Sequence, residues 1–302
     1  KLNFFMTYLN KDFRFDICIC GHTMKDMIYT LKRYPKESSD TRDATLVTRF
    51  GGISNTIRGI RYLNKKIKMK SVTILGKDQD GDNAIQELKK LKVDYKSIIR
   101  NGLTSDVVIL ISKLKSTKTV IVRFLSKKPK KRINIGDSSW VHFMYLDNTQ
   151  FIDKFGNLVL NKKPGQFFSA DISDKSLNKF NLDKYLNKLD CLIFSTKELP
   201  TLFKDKKCKE FNQTSMKNIL NLSKKINYII IHNKKKSIYV DHGRIFSVKN
   251  NNKIDYKNPN ILGAGDHFAA SIINDMISKK IKPENMLKKA HKFSSDYCLG
   301  KL

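Results

Sequence analysis

Asn260-Ile261-Leu262-Gly263-Ala264-Gly265-Asp266-His267-Phe268-Ala269-Ala270 sets a glycine pair and an acid at the head of an amphipathic run. Glycine lets the backbone approach an anion, and a helix start offers unpaired N–H groups and a partial positive charge. Gly263, Ala264 and Gly265 therefore read as an anion-binding turn. Asp266 falls in or near the first helical turn, where a carboxylate is expected to remain ionised and able to take a proton from a hydroxyl. The same residues also suit a tight strand-to-helix turn with Asp266 as a simple N-cap. The segment alone leaves those two readings about even.

Upstream of this turn, strand-like and helix-like stretches alternate, which predicts a mainly parallel sheet with helices on both faces. The expected core strands are Phe15 to Cys20, Val72 to Leu75, Trp140 to Tyr145, Phe167 to Ala170, Cys191 to Phe194 and Tyr228 to Ile231. Several are nearly continuous apolar runs, as a sheet buried on both faces requires. Helical periodicity fits Thr56 to Leu63, Asn83 to Leu91, Asp183 to Leu189, Met216 to Lys225, His267 to Ser278 and Pro283 to Cys298. Two stretches break the rhythm, Met27 to Phe50 and Thr104 to Leu125, where β-branched or alternating residues run without a helix between them. They are expected to pair as a small separate sheet. The run Lys127-Lys128-Pro129-Lys130-Lys131-Arg132 reads as a solvated loop in so lysine-rich a chain.

Composition bounds the rest. The 302 residues, 40% of them hydrophobic and 10% aromatic, suffice for a sizeable core and exclude a disordered chain. The net charge of +31 invites a polyanionic partner. Only ten of the 59 basic residues are arginine, however, and the lysines are scattered along the chain. Arginine forms the bidentate fork that base and phosphate recognition prefers, so the composition speaks against nucleic acid as the main partner. Five cysteines, with no two-residue pairing, point to a reducing compartment. No apolar stretch approaches the ~18 residues of a membrane span, and Leu2 to Leu9 is too short and interrupted for a secretory signal. A soluble, cytoplasmic protein without a membrane partner is expected.

Other motifs precede the Gly263 turn in a definite order. Cys18-Ile19-Cys20-Gly21-His22-Thr23-Met24-Lys25-Asp26 gives a strand, a glycine and an aspartate five residues later. Phe50-Gly51-Gly52-Ile53-Ser54-Asn55 gives a glycine pair and an asparagine opening a helix, and Gly76-Lys77-Asp78-Gln79-Asp80-Gly81 follows. With Gly263-Ala264-Gly265-Asp266 this series resembles the PfkB, or ribokinase-like, carbohydrate kinase family over roughly residues 15 to 300. The resemblance implies an α/β ribokinase-like fold in a single domain spanning 1–302, with a β-sheet lid drawn from about 27–50 and 104–125. It implies ATP and Mg²⁺ as cofactors and a sugar or nucleoside as acceptor. It assigns Asp266 as catalytic base, Gly263, Ala264 and Gly265 as anion hole, and Asp26, Gly51, Gly52 and Asn55 as acceptor site. Exposed lid edges invite pairing into a homodimer.

Departures from the pattern cluster on the nucleotide side. Between Gly52 and Asn55 there is one residue fewer than in the family, which puts the reach of Asn55 in doubt. Asn260 stands where the second signature commonly opens with aspartate. The family's Asn-x-x-Glu is Ser195-Thr196-Lys197-Glu198, leaving Glu198 to order water around Mg²⁺. The family's glycine-rich nucleotide loop is Ile231-His232-Asn233-Lys234-Lys235-Lys236. Its Asn233 and Lys234 either contact the nucleotide or have drifted from that role. The reading is thus an ATP-dependent kinase acting on a sugar or related carbohydrate. Its alternatives are a nucleoside kinase of the same family and a basic nucleotide- or RNA-binding relative that no longer transfers phosphate.

Overall fold

Short apolar runs with side chains buried on both faces find that environment inside a helix-covered sheet. The computed structural model describes residues 12–114, 117–126, 135–146, 162–173, 177, 182–251, 262–278 and 281–302. Along the chain come β1 (Phe15–Cys20), β2 (Thr23–Leu31), β3 (Thr45–Gly52), α1 (Ile53–Leu63), β4 (Met69–Val72), β5 (Ile74–Leu75), α2 (Gln79–Lys90), β6 (Val93–Asp94) and β7 (Ile99–Arg100). Next are β8 (Asp106–Ser112), β9 (Thr117–Arg123), β10 (Ser138–Phe143), β11 (Phe167–Asp171), α3 (Asp183–Leu186), β12 (Cys191–Ser195) and α4 (Leu199–Leu202). The described chain ends with α5 (Gln213–Leu222), β13 (Tyr228–His232), β14 (Lys236–Asp241), β15 (Arg244–Lys249), α6 (Ala264–Ser278) and α7 (Pro283–Cys298).

Among the described residues, nine strands form the main sheet in the order β15-β14-β13-β12-β11-β10-β1-β4-β6. Pairing is parallel from β13 across to β6, and the β13-β14 and β14-β15 pairs at the other end are antiparallel. Alternation along β1 divides the core between the two faces. Ile17 and Ile19 join Ile57 of α1, Phe268 of α6 and Leu287 of α7, whereas Cys18 and Cys20 join Leu199 of α4 and Ile219 of α5. The expectation of a mainly parallel sheet with helices on both faces holds. The lysine run at 127–132, Asn260 and Leu2 to Leu9 lie outside the described residues.

A second sheet of four strands has the order β3-β2-β8-β9, with β2 and β8 parallel and the outer pairs antiparallel. It begins at Thr23 and reaches Gly52, further toward the core than the expected stretch. Asp26, five residues past the first glycine, therefore lies inside β2 of the smaller sheet and not on the core strand that precedes it. The chain leaves β1 at Cys20 and turns at Gly21-His22 straight into the second sheet. The expected strand Val72 to Leu75 is divided at Thr73, and β5 pairs with β7 instead of the main sheet. Thr73 accepts from the Thr23 amide at 3.0 Å on its hydroxyl and from the Ile99 amide at 3.0 Å on its carbonyl. Four helices start three or four residues earlier than periodicity indicated, because their first turns carry no apolar stripe.

The Gly76 to Gly81 segment joins the two sheets. Asp78 caps α2, its Oδ1 accepting from the Gly81 amide at 2.8 Å and the Thr104 hydroxyl at 2.6 Å, and its Oδ2 from the Thr104 amide at 2.7 Å. A Cβ on Gly76 would lie 2.1 Å from the Thr104 nitrogen, so only glycine fits. One carboxylate thus fixes the helix start and the residue from which β8 departs.

Candidate active site

The close of β3 explains the glycine pair. A Cβ on Gly51 would stand 2.2 Å from Asp26 Oδ2. Gly52 has φ of 63°, and a Cβ there would meet the His22 carbonyl oxygen at 2.0 Å. The pair lets β3 pass the Asp26 carboxylate and turn into α1, where the Ile53 amide donates to the His22 carbonyl at 2.9 Å. Asn55, in the first turn of α1 and buried, donates from Nδ2 to Asp266 Oδ2 at 2.7 Å and accepts on Oδ1 from Arg58 at 2.6 Å. The shortened spacing thus leaves Asn55 directed at Asp266.

On the opposite side, Gly263 has φ of 90°, in the left-handed region that favours glycine. The first helical bond of α6 runs from the His267 amide to the Gly263 carbonyl at 3.0 Å. The amides of Ala264, Gly265 and Asp266 precede it at the positive end of the helix dipole. A carbonyl only accepts, so His267 Nδ1, 2.8 Å from the Gly263 oxygen, carries the proton. The ring stacks on Tyr297 at 3.7 Å. Burial, joined by the nearby charges of Arg58 and Arg49, lowers the His267 pKa to about 4 against a favourable bond to Gly263. His267 is a neutral brace for the turn.

The motifs upstream and downstream meet. Asp26 and Asp266 are both buried, and each is pushed up to about 6. Burial is the main cause for both. For Asp26 the charge of Asp266 adds to it, while Arg49 and Arg58 oppose it. For Asp266 the charge of Asp171 adds to it, while bonds from Asn55 and Tyr145 and the charge of Arg49 oppose it. The helix terminus does not keep Asp266 at an ordinary carboxylate value, because desolvation outweighs it.

Four contributors escaped the sequence reading. Tyr145 follows β10 in a left-handed conformation, φ 55°, and donates from its hydroxyl to Asp266 Oδ1 at 3.4 Å. The charge of Asp266, then burial, then Asp171 raise its pKa well above the ordinary value, so it stays a donor. Asp171 ends β11 with its Oδ1 buried and without a hydrogen-bond partner, and its Oδ2 stands 3.6 Å from His142 Nε2. A carboxylate at the C-terminal end of a core strand was a usable signal for it. Arg58 also binds the Phe50 carbonyl at 2.6 Å and pairs with Glu87. Arg49 extends from β3 to the Leu262 carbonyl. Nothing in their sequence spacing marks either arginine.

The nucleotide-side residues gather at the ends of β12 and β13. Glu198 Oε2 accepts from the Ser195 amide at 2.8 Å and its hydroxyl at 2.6 Å. Ser195 is the register partner of His232, whose ring stacks on Phe268 at 4.4 Å and lies 3.8 Å from where a Gly265 Cβ would be. Asn233 Oδ1 accepts from the Lys235 and Lys236 amides, each at 2.8 Å, and closes the turn. Beside that turn a cleft of about 520 Å³ is lined by Lys209, Phe211, Asn233, Lys235, Lys236 and Lys249.

Comparison with known proteins bears on the family and the fold. The family described as pfkB family carbohydrate kinase matches residues 14–298. No curated protein matches the sequence. Among solved structures, ribokinase from Thermotoga maritima superposes with a TM-score of 0.75 at 17% identity, covering 93% of this chain and 92% of that one. Ribokinase from Arabidopsis thaliana, complexed with ribose and ATP, gives 0.71 at 17% identity, covering 93% and 91%. A nucleoside kinase from Methanocaldococcus jannaschii gives 0.71 at 14% identity, covering 94% and 90%. At such identities these three share the fold with this chain.

Proposed function

The chain belongs to the pfkB family of carbohydrate kinases, and on that premise we propose that it transfers the γ-phosphoryl group of ATP to a hydroxyl of a sugar or related carbohydrate. One observation carries the reading. The carboxylates of Asp26 and Asp266 are both buried and near enough that the charge of Asp266 raises the pKa of Asp26, and Asp266, bound by Asn55, lies in the first turn of α6.

In this mechanism Asp26 accepts hydrogen bonds from acceptor hydroxyls, and Gly51 and Gly52 give the ring room to approach. The attacking hydroxyl passes its proton to Asp266 while its oxygen bonds to the γ-phosphorus. The bond from phosphorus to the β,γ-bridging oxygen breaks, and a nucleoside diphosphate leaves. A carboxylate with a pKa near 6 is a stronger base than an exposed aspartate and is still mostly ionised at neutral pH. The amides of Ala264, Gly265 and Asp266 face the charge that develops on the phosphoryl oxygens. In this reading Asn233 and Lys234 serve the nucleotide donor.

Mg²⁺ supplies compensating charge on the nucleotide phosphates when bound. Among the described residues no cluster of three or more His, Cys, Asp or Glu side chains forms a cage for it. A hydrated ion needs few protein ligands, and the orphaned Oδ1 of Asp171 and the carboxylate of Glu198 fit that role.

The small sheet serves as the lid, within one kinase domain spanning 1–302. Its edge strands expose Leu46, Val47 and Ile121, each more than 50% accessible, and two copies pair through them. Five buried cysteines without disulfides support a reducing, cytoplasmic setting. No described helix is long and apolar enough to cross a membrane.

The test is a phosphotransfer screen of sugars and nucleosides against ATP, GTP and ADP, with Asp266→Asn as control. The expected result is turnover on at least one acceptor, reduced about 10²–10⁴-fold in the variant. Absence of turnover on every acceptor, with steeply salt-dependent RNA binding, would overturn the reading in favour of a binding protein.

A further inference from the structure

Arg49 stands directly across from Asp26 in the β2-β3 ladder, yet it makes no ion pair with that carboxylate. Its guanidinium leaves the small sheet and donates to the Leu262 carbonyl at 2.8 Å and to the Tyr297 hydroxyl at 2.7 Å. Tyr297 in turn donates to the same Leu262 carbonyl at 2.7 Å. Arg49 Nε is buried without a partner. The guanidinium is near enough for its charge to lower the pKa values of both Asp26 and Asp266, yet its hydrogen bonds go across to the residue before the anion turn and to α7.

The residue it grips is also held from its other end. The Leu262 side chain is buried among Ile28, Val107, Ile109 and Ile111 of the small sheet. Leu262 immediately precedes Gly263, and Leu262 and Gly263 together lead into the first turn of α6. One residue of the anion turn is therefore seated in the apolar core of the small sheet by its side chain and tied to β3 by its carbonyl.

We propose that Arg49 is a positioning residue that, with Leu262 and Tyr297, couples the small sheet to the phosphate-binding turn, so that closing over the acceptor and setting the turn are one event. Carbonyl and phenol are held in a fixed fork that only a guanidinium supplies, so lysine does not substitute. The functional half of this inference rests on the kinase reading of the turn. Its mechanical half does not.

The two halves are separated by amide hydrogen exchange on the intact chain. Without ligand, Arg49→Lys and the milder Tyr297→Phe should both speed exchange in β3 and in His267 to Ala270 together. The expected acceleration for the arginine variant is about tenfold or more, since a hydrogen bond to a charged donor is worth at least that factor. Acceleration confined to β3, or absent in both variants, overturns the coupling. In a second arm the non-hydrolysable analogue AMP-PNP is added. Wild type should show protection in α6 that extends to β2 and β3, and Arg49→Lys protection in α6 alone. Protection that never reaches the small sheet in wild type overturns the proposal. Absence of any AMP-PNP binding overturns the kinase reading, and the ligand-free arm still decides the coupling.

Discussion

The Asn55 amide donates to Asp266 Oδ2 at 2.7 Å, joining positions 211 residues apart in the chain. Asn55 sits in the first turn of α1 and Asp266 in the first turn of α6, two helices packed together on one face of the main sheet. A neutral donor there favours the charged carboxylate, while burial opposes it and holds the pKa near 6.

Stability should therefore fall as pH rises through the folded values of Asp26 and Asp266. Both are raised from 3.8 to about 6, so between those values the folded protein binds more protons than the unfolded chain. Their favourable contribution is complete below about pH 4 and lost above about pH 6. Asp266→Asn should be more stable than wild type at pH 8, on the order of 1–3 kcal/mol, and equal to it near pH 4. Thermal melts across that range check both sign and window; a variant less stable at pH 8 contradicts the assignment.

Removing either donor to Asp266 should move the acid limb of the pH–rate profile upward. Asn55→Ala takes away a 2.7 Å bond and Tyr145→Phe a 3.4 Å bond, so the first shift should be larger. Once an acceptor is known, kcat/KM against pH for both variants distinguishes this order from its reverse.

Gly51→Ala and Gly52→Ala should fail differently. The three atoms nearest a new methyl at Gly51 all belong to the Asp26 carboxylate, the end of a side chain that can rotate away. That variant should fold and show a raised acceptor KM. At Gly52 the methyl meets backbone oxygen at a positive φ, and it should lose about 1–3 kcal/mol of stability or more. Urea titration and acceptor KM, measured on both, separate the two outcomes.

Asp78→Ala should destabilise the chain by about 1–3 kcal/mol, because a helix cap and two bonds from Thr104 disappear together. Burial pushes the Asp78 pKa up, but bonds from Thr104 and Gly81 and the charge of Arg100 more than offset it, leaving it lowered. Its stabilisation is present above the ordinary carboxylate range and lost as pH falls through the lowered value. The gap between variant and wild type should therefore narrow on acidification, as it does for Asp266→Asn, but here the variant is the less stable protein at high pH and there the more stable one.

The sequence by itself determined the layered α/β architecture and the points where glycine is unavoidable. Buried parallel strands must be apolar on both faces, as at Phe15 to Cys20, and Gly52 and Gly263 are set by positive backbone φ, so both leave marks in short windows of chain. What only tertiary structure decided was which polar groups face each other. Tyr145, Arg49 and Arg58 sit in unremarkable surroundings along the chain, and Asp171 is marked only by its place at the end of a core strand. Their roles come from side chains that meet across two sheets and a helix start, and from the desolvation that this meeting imposes on Asp26 and Asp266. Burial and pairing are properties of the assembled space, so no spacing in the sequence could carry them.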